Sequence, residues 1–222
     1  MRLFIAPHRC PGCEIRKPLC FCSWIPQLAL QTRVIVLMHT NEEVLTTNTA
    51  RLAAKALVHS ELRIHGRKDA PMQSHRLVEP GRTSLLLYPS PIAVELTPDF
   101  VSHISSPINL IVPDGSWRQT TKFVRHAPAL AGIKHVKLMP GLPSEYRLRL
   151  QRDEQNLCTL EAIARAIGAL ESLEAQRALE KLLRVMVERT LWSRGTITAS
   201  QCFESGIPAE AMLGCKSQLK NT

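Results

Sequence analysis

The sequence predicts an α/β fold, a mostly parallel sheet with helices on both faces. Three observations lead there. Short apolar runs recur along the chain: TRVIVLMH at 32–39, SLLLYP at 84–89 and INLIVP at 108–113. They are nearly continuous rather than alternating, which suits strands covered on both sides. Between and after them stand turn residues and segments of helical periodicity, and strand–helix alternation is the pattern of parallel sheets.

Taken in order, residues 1–30 are irregular and rich in Cys and Pro, and read as a small knuckle. The strand at 32–39 runs into TNEEVLTTNTARLAAKALVH. There Thr46, Thr47 or Asn48 can cap a helix whose apolar positions Leu52, Ala53, Ala56 and Leu57 recur at three and four. SLLLYP is the second strand and stops at Pro89. INLIVPDG is the third, followed by SWRQTTKFVRHAPAL, a helix ending before Pro128. HVKLM at 135–139 is a fourth strand, closed by the turn PGLP. From Thr159 to Trp192 the chain is helical in composition, and the last thirty residues are weakly patterned. Ligands of such sheets bind beyond the carboxyl ends of strands, here MHTNEE, LLYPSP and IVPDGSW. Those polar, Gly- and Pro-containing ends favour an enzyme over a scaffold.

The 222 residues make one full domain with an appendage, at about 150 residues per domain. No apolar run approaches the roughly 18–20 residues of a membrane span, and MRLFIAPHRC lacks the apolar core of a signal peptide. We therefore expect a cytoplasmic protein with no membrane partner. Twenty-eight Lys and Arg against nineteen Asp and Glu give a net charge of +9. Between Arg118 and Arg152 stand eight basic residues and one acid, Glu145. Such a field attracts a polyanion, nucleic acid first among them, although a merely solvated basic face has the same composition.

Seven cysteines, four of them within thirteen residues, do not make a secreted disulfide framework. Cys10, Cys13, Cys20 and Cys22 form C-x2-C-x6-C-x-C, with Pro-Gly as the turn between the first two. Four thiolates favour a closed, structural, tetrahedral zinc site; an iron–sulfur centre and unmetallated thiols use the same residues. Metal would fold thirty residues that lack a core of their own. The eight histidines form no H-E-x-x-H motif, and only His39, at a strand end, is placed to line a pocket. G-x-S-x-G, Walker A and G-x-G-x-x-G are all missing, and without the phosphate-binding loops an NTPase or a classical dinucleotide dehydrogenase is disfavoured.

Pro113–Trp117 carries the most chemistry. Asp114 lies just past a buried strand, where it either caps the next helix or serves as a base or acceptor for substrate. Gly115 allows close approach of a ligand, and Trp117 is either a stacking platform for a base or core. Arg118, Lys122 and Arg125 continue along one helical face.

These segments, taken in order, are similar to one family. The cysteine knuckle, TNTARLA at 47–53, LLYP at 86–89, PDGSW at 113–117, YRLR at 146–149 and LCTLEAIA at 157–164 resemble the DTW-domain family over roughly residues 8–195. The Asp-x-Thr-Trp of its name stands here as Asp114-Gly115-Ser116-Trp117, with serine keeping the hydroxyl and losing the methyl. The resemblance implies a SPOUT-like fold with a C-terminal trefoil knot and a division into a knuckle (1–30), a catalytic domain (31–195) and an extension (196–222). It implies transfer of the 3-amino-3-carboxypropyl group of S-adenosylmethionine to N3 of a tRNA uridine in the variable loop, releasing methylthioadenosine. Asp114 would be the base or align the uracil imide. The donor would lie against Leu86, Leu87, Tyr88, Pro89, Pro113, Gly115, Leu157 and Thr159, with Arg147 or Arg149 on its carboxylate. Asn48, Arg51, Ser116, Trp117, Arg118, Lys122 and Arg125 would face tRNA. Zinc would be structural, and the chain a monomer or homodimer. A SPOUT-like RNA methyltransferase and a noncatalytic zinc-bearing RNA-binding module are the alternatives.

Overall fold

A computed structural model describes residues 7–70, 72, 74–148 and 156–218, with side chains as far as 213. The sheet strands are β1 (Arg33–His39), β2 (Ser60–His65), β3 (Thr83–Leu87), β4 (Val94–Glu95), β5 (Ile108–Asp114) and β6 (Lys134–Lys137). The helices are α1 (Thr49–Ala56), α2 (Pro98–Ser102), α3 (Trp117–His126), α4 (Thr159–Leu170), α5 (Leu173–Ser193) and α6 (Ala209–Gln218). The six strands form one sheet in the order β2-β1-β5-β3-β6-β4, and every pair is parallel. None of the described helices is long and apolar enough to cross a membrane.

Alternation along the central strands divides the interior in two. Val34, Val36 and Met38 of β1, Leu85 and Leu87 of β3, and Leu110 and Val112 of β5 join the larger core, with Leu52 of α1, Ile163 of α4 and Leu182 of α5. The opposite parities, Ile35, Leu37, Leu86 and Ile111, build a smaller core with Leu77, Leu130 and Ile133, and Phe123 and Val124 of α3 pack against it. Burying each Leu or Ile contributes about 1.5–3 kcal/mol, so neither face of the sheet can be left open.

The predicted strands and the helices of 49–57, 117–127 and 159–192 are all present, the last as two. β2 and β4 were not foreseen. SELRIH is half polar because β2 is an edge strand: Arg63 donates to Glu61 at 2.6 Å, and Arg33 of β1 binds the same carboxylate. β4 is two residues on the opposite edge. The connection from β6 to α4 includes residues 149–155, which lie outside the described residues, and the C-terminal trefoil knot stays an implication of the resemblance.

The knuckle is packed on the body. Ile15, Leu19 and Phe21 are buried in the larger core. Arg189 of α5, itself buried, donates to the carbonyls of Leu19, at 3.2 Å, and of Cys20. Arg51 of α1 reaches Glu14 at 3.2 Å.

Candidate active site

β5 ends on Asp114 between β1 and β3. From β1 the chain steps outward to β2, and from β3 toward the other edge, so Asp114 marks the point where the winding reverses and a crevice opens. The residue is 5% exposed, and its carboxylate is held at both oxygens. Asn48 Nδ2 donates to Oδ2 at 2.9 Å, and the Thr159 hydroxyl donates to Oδ1.

Each donor is placed by a helix start. Asn48 is the N-cap of α1; its Oδ1 accepts from Arg51 N at 3.0 Å, which turns the amide nitrogen toward Asp114. The same nitrogen lies 3.3 Å from Glu42, a second buried carboxylate. Thr159 is not the α4 cap that its sequence position suggests. Cys158 takes that place, its N–H donating to Glu161 at 2.8 Å, and this frees the Thr159 hydroxyl for Asp114. Buried Glu161 also accepts from Glu145 N at 2.6 Å and Ser144 Oγ at 2.7 Å, tying the loop before α4 to the helix. Nor does Asp114 cap α3: Ser116 does, in a capping box with Gln119.

Two cavities flank this residue. The first, about 480 Å³, lies beyond β3 and β6, with Leu87, Tyr88, Pro89, Pro113, Met139 and Arg165 in its lining. The second, about 450 Å³, has Asp114, Asn48, Glu42, Tyr146 and Arg118. Gly115, Trp117, Asn156, Leu157 and Thr159 belong to both, so the two chambers share a wall. Gly115 is required there: an added Cβ would press to 3.2 Å on His39 and Gln119. Trp117, 52% exposed, stands at the common rim.

The first chamber gathers seven of the expected donor residues: Leu87, Tyr88, Pro89, Pro113, Gly115, Leu157 and Thr159. Leu86 is not among them, because strand alternation sends it into the smaller core on the opposite face. Arg147 is exposed and lines neither chamber, and Arg149 lies outside the described residues. A cation that sequence reading missed is in the first chamber: Arg165, following Thr159 and Ala162 at helical spacing on α4. That i, i+3, i+6 series was the available signal. Of the expected RNA contacts, Trp117, Arg118, Lys122 and Arg125 are exposed or at a rim, and Ser116 is exposed as the α3 cap. Asn48 and Arg51 point inward. Asn48 holds Asp114, and Arg51 is engaged with Glu14 and the carbonyls of Glu43 and Leu45.

Cys10, Cys13, Cys20 and Cys22 bring their sulfurs within 4.8 Å of one another. The pairs Cys10–Cys22, Cys13–Cys20 and Cys10–Cys20 stand 3.5, 3.7 and 3.4 Å apart. A tetrahedral zinc with bonds of about 2.3 Å requires roughly 3.8 Å between sulfurs, so the cage has the size and the donor chemistry of one zinc ion. A Cβ at Gly12 would lie 2.5 Å from Cys22 Sγ, so the turn between the first two cysteines must be glycine. The cage is remote in role from Asp114: four protein ligands leave no open position for chemistry.

Residues 7–191 match the DTW domain. The chain belongs to the DTW-domain family. This DTW-domain chain is 30% identical over 172 residues to tRNA-uridine aminocarboxypropyltransferase 2 of Drosophila melanogaster, covering 74% of this chain and 67% of that protein. It is 28% identical over 167 residues to the protein of the same name from Macaca fascicularis, covering 73% and 56%. It thus spans two thirds of the fly relative and just over half of the macaque one. A solved structure of the SAM-dependent rRNA:acp-transferase Tsr3 from Vulcanisaeta distributa aligns at 17% identity and a TM-score of 0.47, over 77% of this chain and 80% of that one.

His65, at the end of β2, is 4% exposed and stacks on Phe123 at 3.7 Å, with His39 edge-on at 5.2 Å. Burial, and then the nearby His39, lower its pKa from 6.5 to about 4. The neutral ring is the folded form, so this contribution is complete above pH 6.5 and is lost as pH falls toward 4. By pH 5 the loss is about 2 kcal/mol. Urea unfolding at pH 7.5 and pH 5 should show a drop larger by about that amount in the native chain than in His65→Gln. Equal drops would show that His65 titrates as it does in the unfolded chain.

Proposed function

We propose that this chain is a tRNA-uridine aminocarboxypropyltransferase that moves the 3-amino-3-carboxypropyl group of S-adenosylmethionine to N3 of a tRNA uridine. The observation that carries the reading is the pair of chambers sharing a wall, with the buried Asp114 carboxylate facing the second. The names of the relatives supply the reaction class. The first chamber, mostly apolar with Arg165 in its lining and Lys137 paired there with Glu95 at 3.3 Å, suits an adenosine with a carboxylate tail; Arg165 is the guanidinium we assign to that carboxylate. The second receives the uracil.

Chemically, the N3–H of uracil points at Asp114, whose two oxygens are fixed by Asn48 and Thr159. As the proton leaves N3, the nitrogen attacks the carbon bonded to the sulfonium. The N–C bond forms, the C–S bond breaks, and methylthioadenosine departs with its sulfur neutral. Nothing in this displacement requires a metal, and holding the two partners in line supplies much of the acceleration. Asp114 is the catalytic residue, and Asn48 and Thr159 are positioning residues. Zinc, when bound by the four cysteines, supplies folding energy to the knuckle.

Unmodified tRNA incubated with the protein and S-adenosylmethionine should gain about 101 Da on a uridine, with methylthioadenosine in equal amount; a methyl transfer would add about 14 Da. Position mapping should place the group in the variable loop. A gain of 14 Da, or none, would overturn the assignment.

A further inference from the structure

A third cavity adjoins the second chamber at Ser116 and Arg118. It is a groove of about 970 Å³ between the end of β2 and α3, roughly twice the volume of either chamber. It joins the uracil chamber through Ser116 and Arg118, which line both. Along α3 its rim carries Arg118, Lys122 and His126, one helical face at steps of four, all exposed. Among its described lining residues there is no carboxylate. The opposite rim is Arg67, which Glu43 pairs at 2.6 Å.

The deep wall differs in chemistry. His39 and His65 meet edge to face, and His65 lies flat on Phe123. His65 lines the groove, and its Nε2 is buried without a hydrogen-bond partner in the protein. His39 Nδ1 accepts from Asn41 N at 3.1 Å, which leaves its Nε2 as the N–H donor. Gly66, at φ +87°, keeps that edge open: a Cβ there would stand 3.0 Å from His39 Nε2.

We propose that this groove holds the nucleotide adjoining the target uridine, its phosphates on Arg118, Lys122 and His126 and its base against the His39–His65–Phe123 wall. The cations Arg118 and Lys122 one helical turn apart along one edge, imidazole and aromatic surface in the floor, and continuity with the uracil chamber are what a single-stranded ribonucleotide requires. A protein ligand would not need this combination. The inference rests on RNA being the acceptor and extends that reading by a second binding position.

Three variants test it. Lys122→Glu/His126→Glu reverses the rim on exposed positions. Ser74→Trp fills the groove from an exposed lining residue without changing charge. Arg177→Glu, exposed on α5 and outside all three cavities, is the charge control. In tRNA binding against salt, the double variant should lower the slope of log affinity on log salt by about 1 to 2, and the control should not. Ser74→Trp should raise KM for tRNA at least tenfold while leaving KM for S-adenosylmethionine unchanged. Circular dichroism confirms folding of each variant. A tRNA with 4-thiouridine next to the target should cross-link to peptides spanning 62–68 or 117–129. Native slope and KM in both groove variants, or cross-links confined elsewhere, would overturn the groove while leaving the transferase reading intact. Absence of any tRNA modification by the native chain would overturn both.

Discussion

Asp114→Asn should lower transfer to tRNA by about a hundred- to ten-thousand-fold while the chain stays folded. That is the usual contribution of a positioned general base. The substitution preserves shape but replaces one acceptor oxygen by an amide that itself donates. Asn48 presents an amide donor, so the new side chain keeps its oxygen there and turns its nitrogen to Thr159, whose hydroxyl rotates to accept. Binding of S-adenosylmethionine should persist, because Asp114 is absent from the lining of the first chamber. Methylthioadenosine release under single-turnover conditions, with calorimetric titration of the donor, separates the two effects. Release within tenfold of the native rate would remove Asp114 from the chemistry. A simultaneous loss of donor binding would make it part of the donor site instead.

The second large effect concerns the cysteine cage. Native protein should carry one zinc per chain by elemental mass spectrometry, and Cys10→Ser/Cys13→Ser should carry none. Without the ion the knuckle has little to hold its course, and Ile15, Leu19 and Phe21 would withdraw from the larger core. Losing three such contacts costs on the order of 5 kcal/mol, a fall in Tm of about 10–20 °C for a chain of this size. Turnover should decline as well, since Glu14 in the knuckle pairs with Arg51, one turn along α1 from the Asn48 that orients Asp114. An unchanged Tm with no metal in the native protein would show that the thiols fold the knuckle by themselves.

The parts of this molecule that were legible in its sequence are those in which one residue type has one physical use. Continuous apolar runs are best covered on both faces, so β1, β3 and β5 were readable, and four cysteines within thirteen residues have few uses beyond a metal. β2 was hidden because an edge strand mixes Glu61, Arg63 and His65 with its apolar residues. Leu86 and Leu87 are equivalent in composition, and only the pleat decides that one meets the small core and the other the first chamber. Asn48 and Arg51 fall in a polar, helix-starting motif that suits a nucleic-acid surface equally well; the fold turns both inward. Glu42, the second carboxylate on Asn48, and the buried His65 could not be found from spacing. Glu42 meets Asn48 across a turn with no recognisable spacing, and His65 meets a helix, α3, dozens of residues further along the chain.

The shared wall at Gly115, Trp117 and Thr159 has a kinetic meaning. On the proposed reading, the two chambers divided by this partition would hold both reactants at once. The migrating group would then cross in one passage within a ternary complex. Such an enzyme belongs to the sequential class, in which neither product forms until both substrates are aboard, and it keeps no covalent memory of the donor between turnovers.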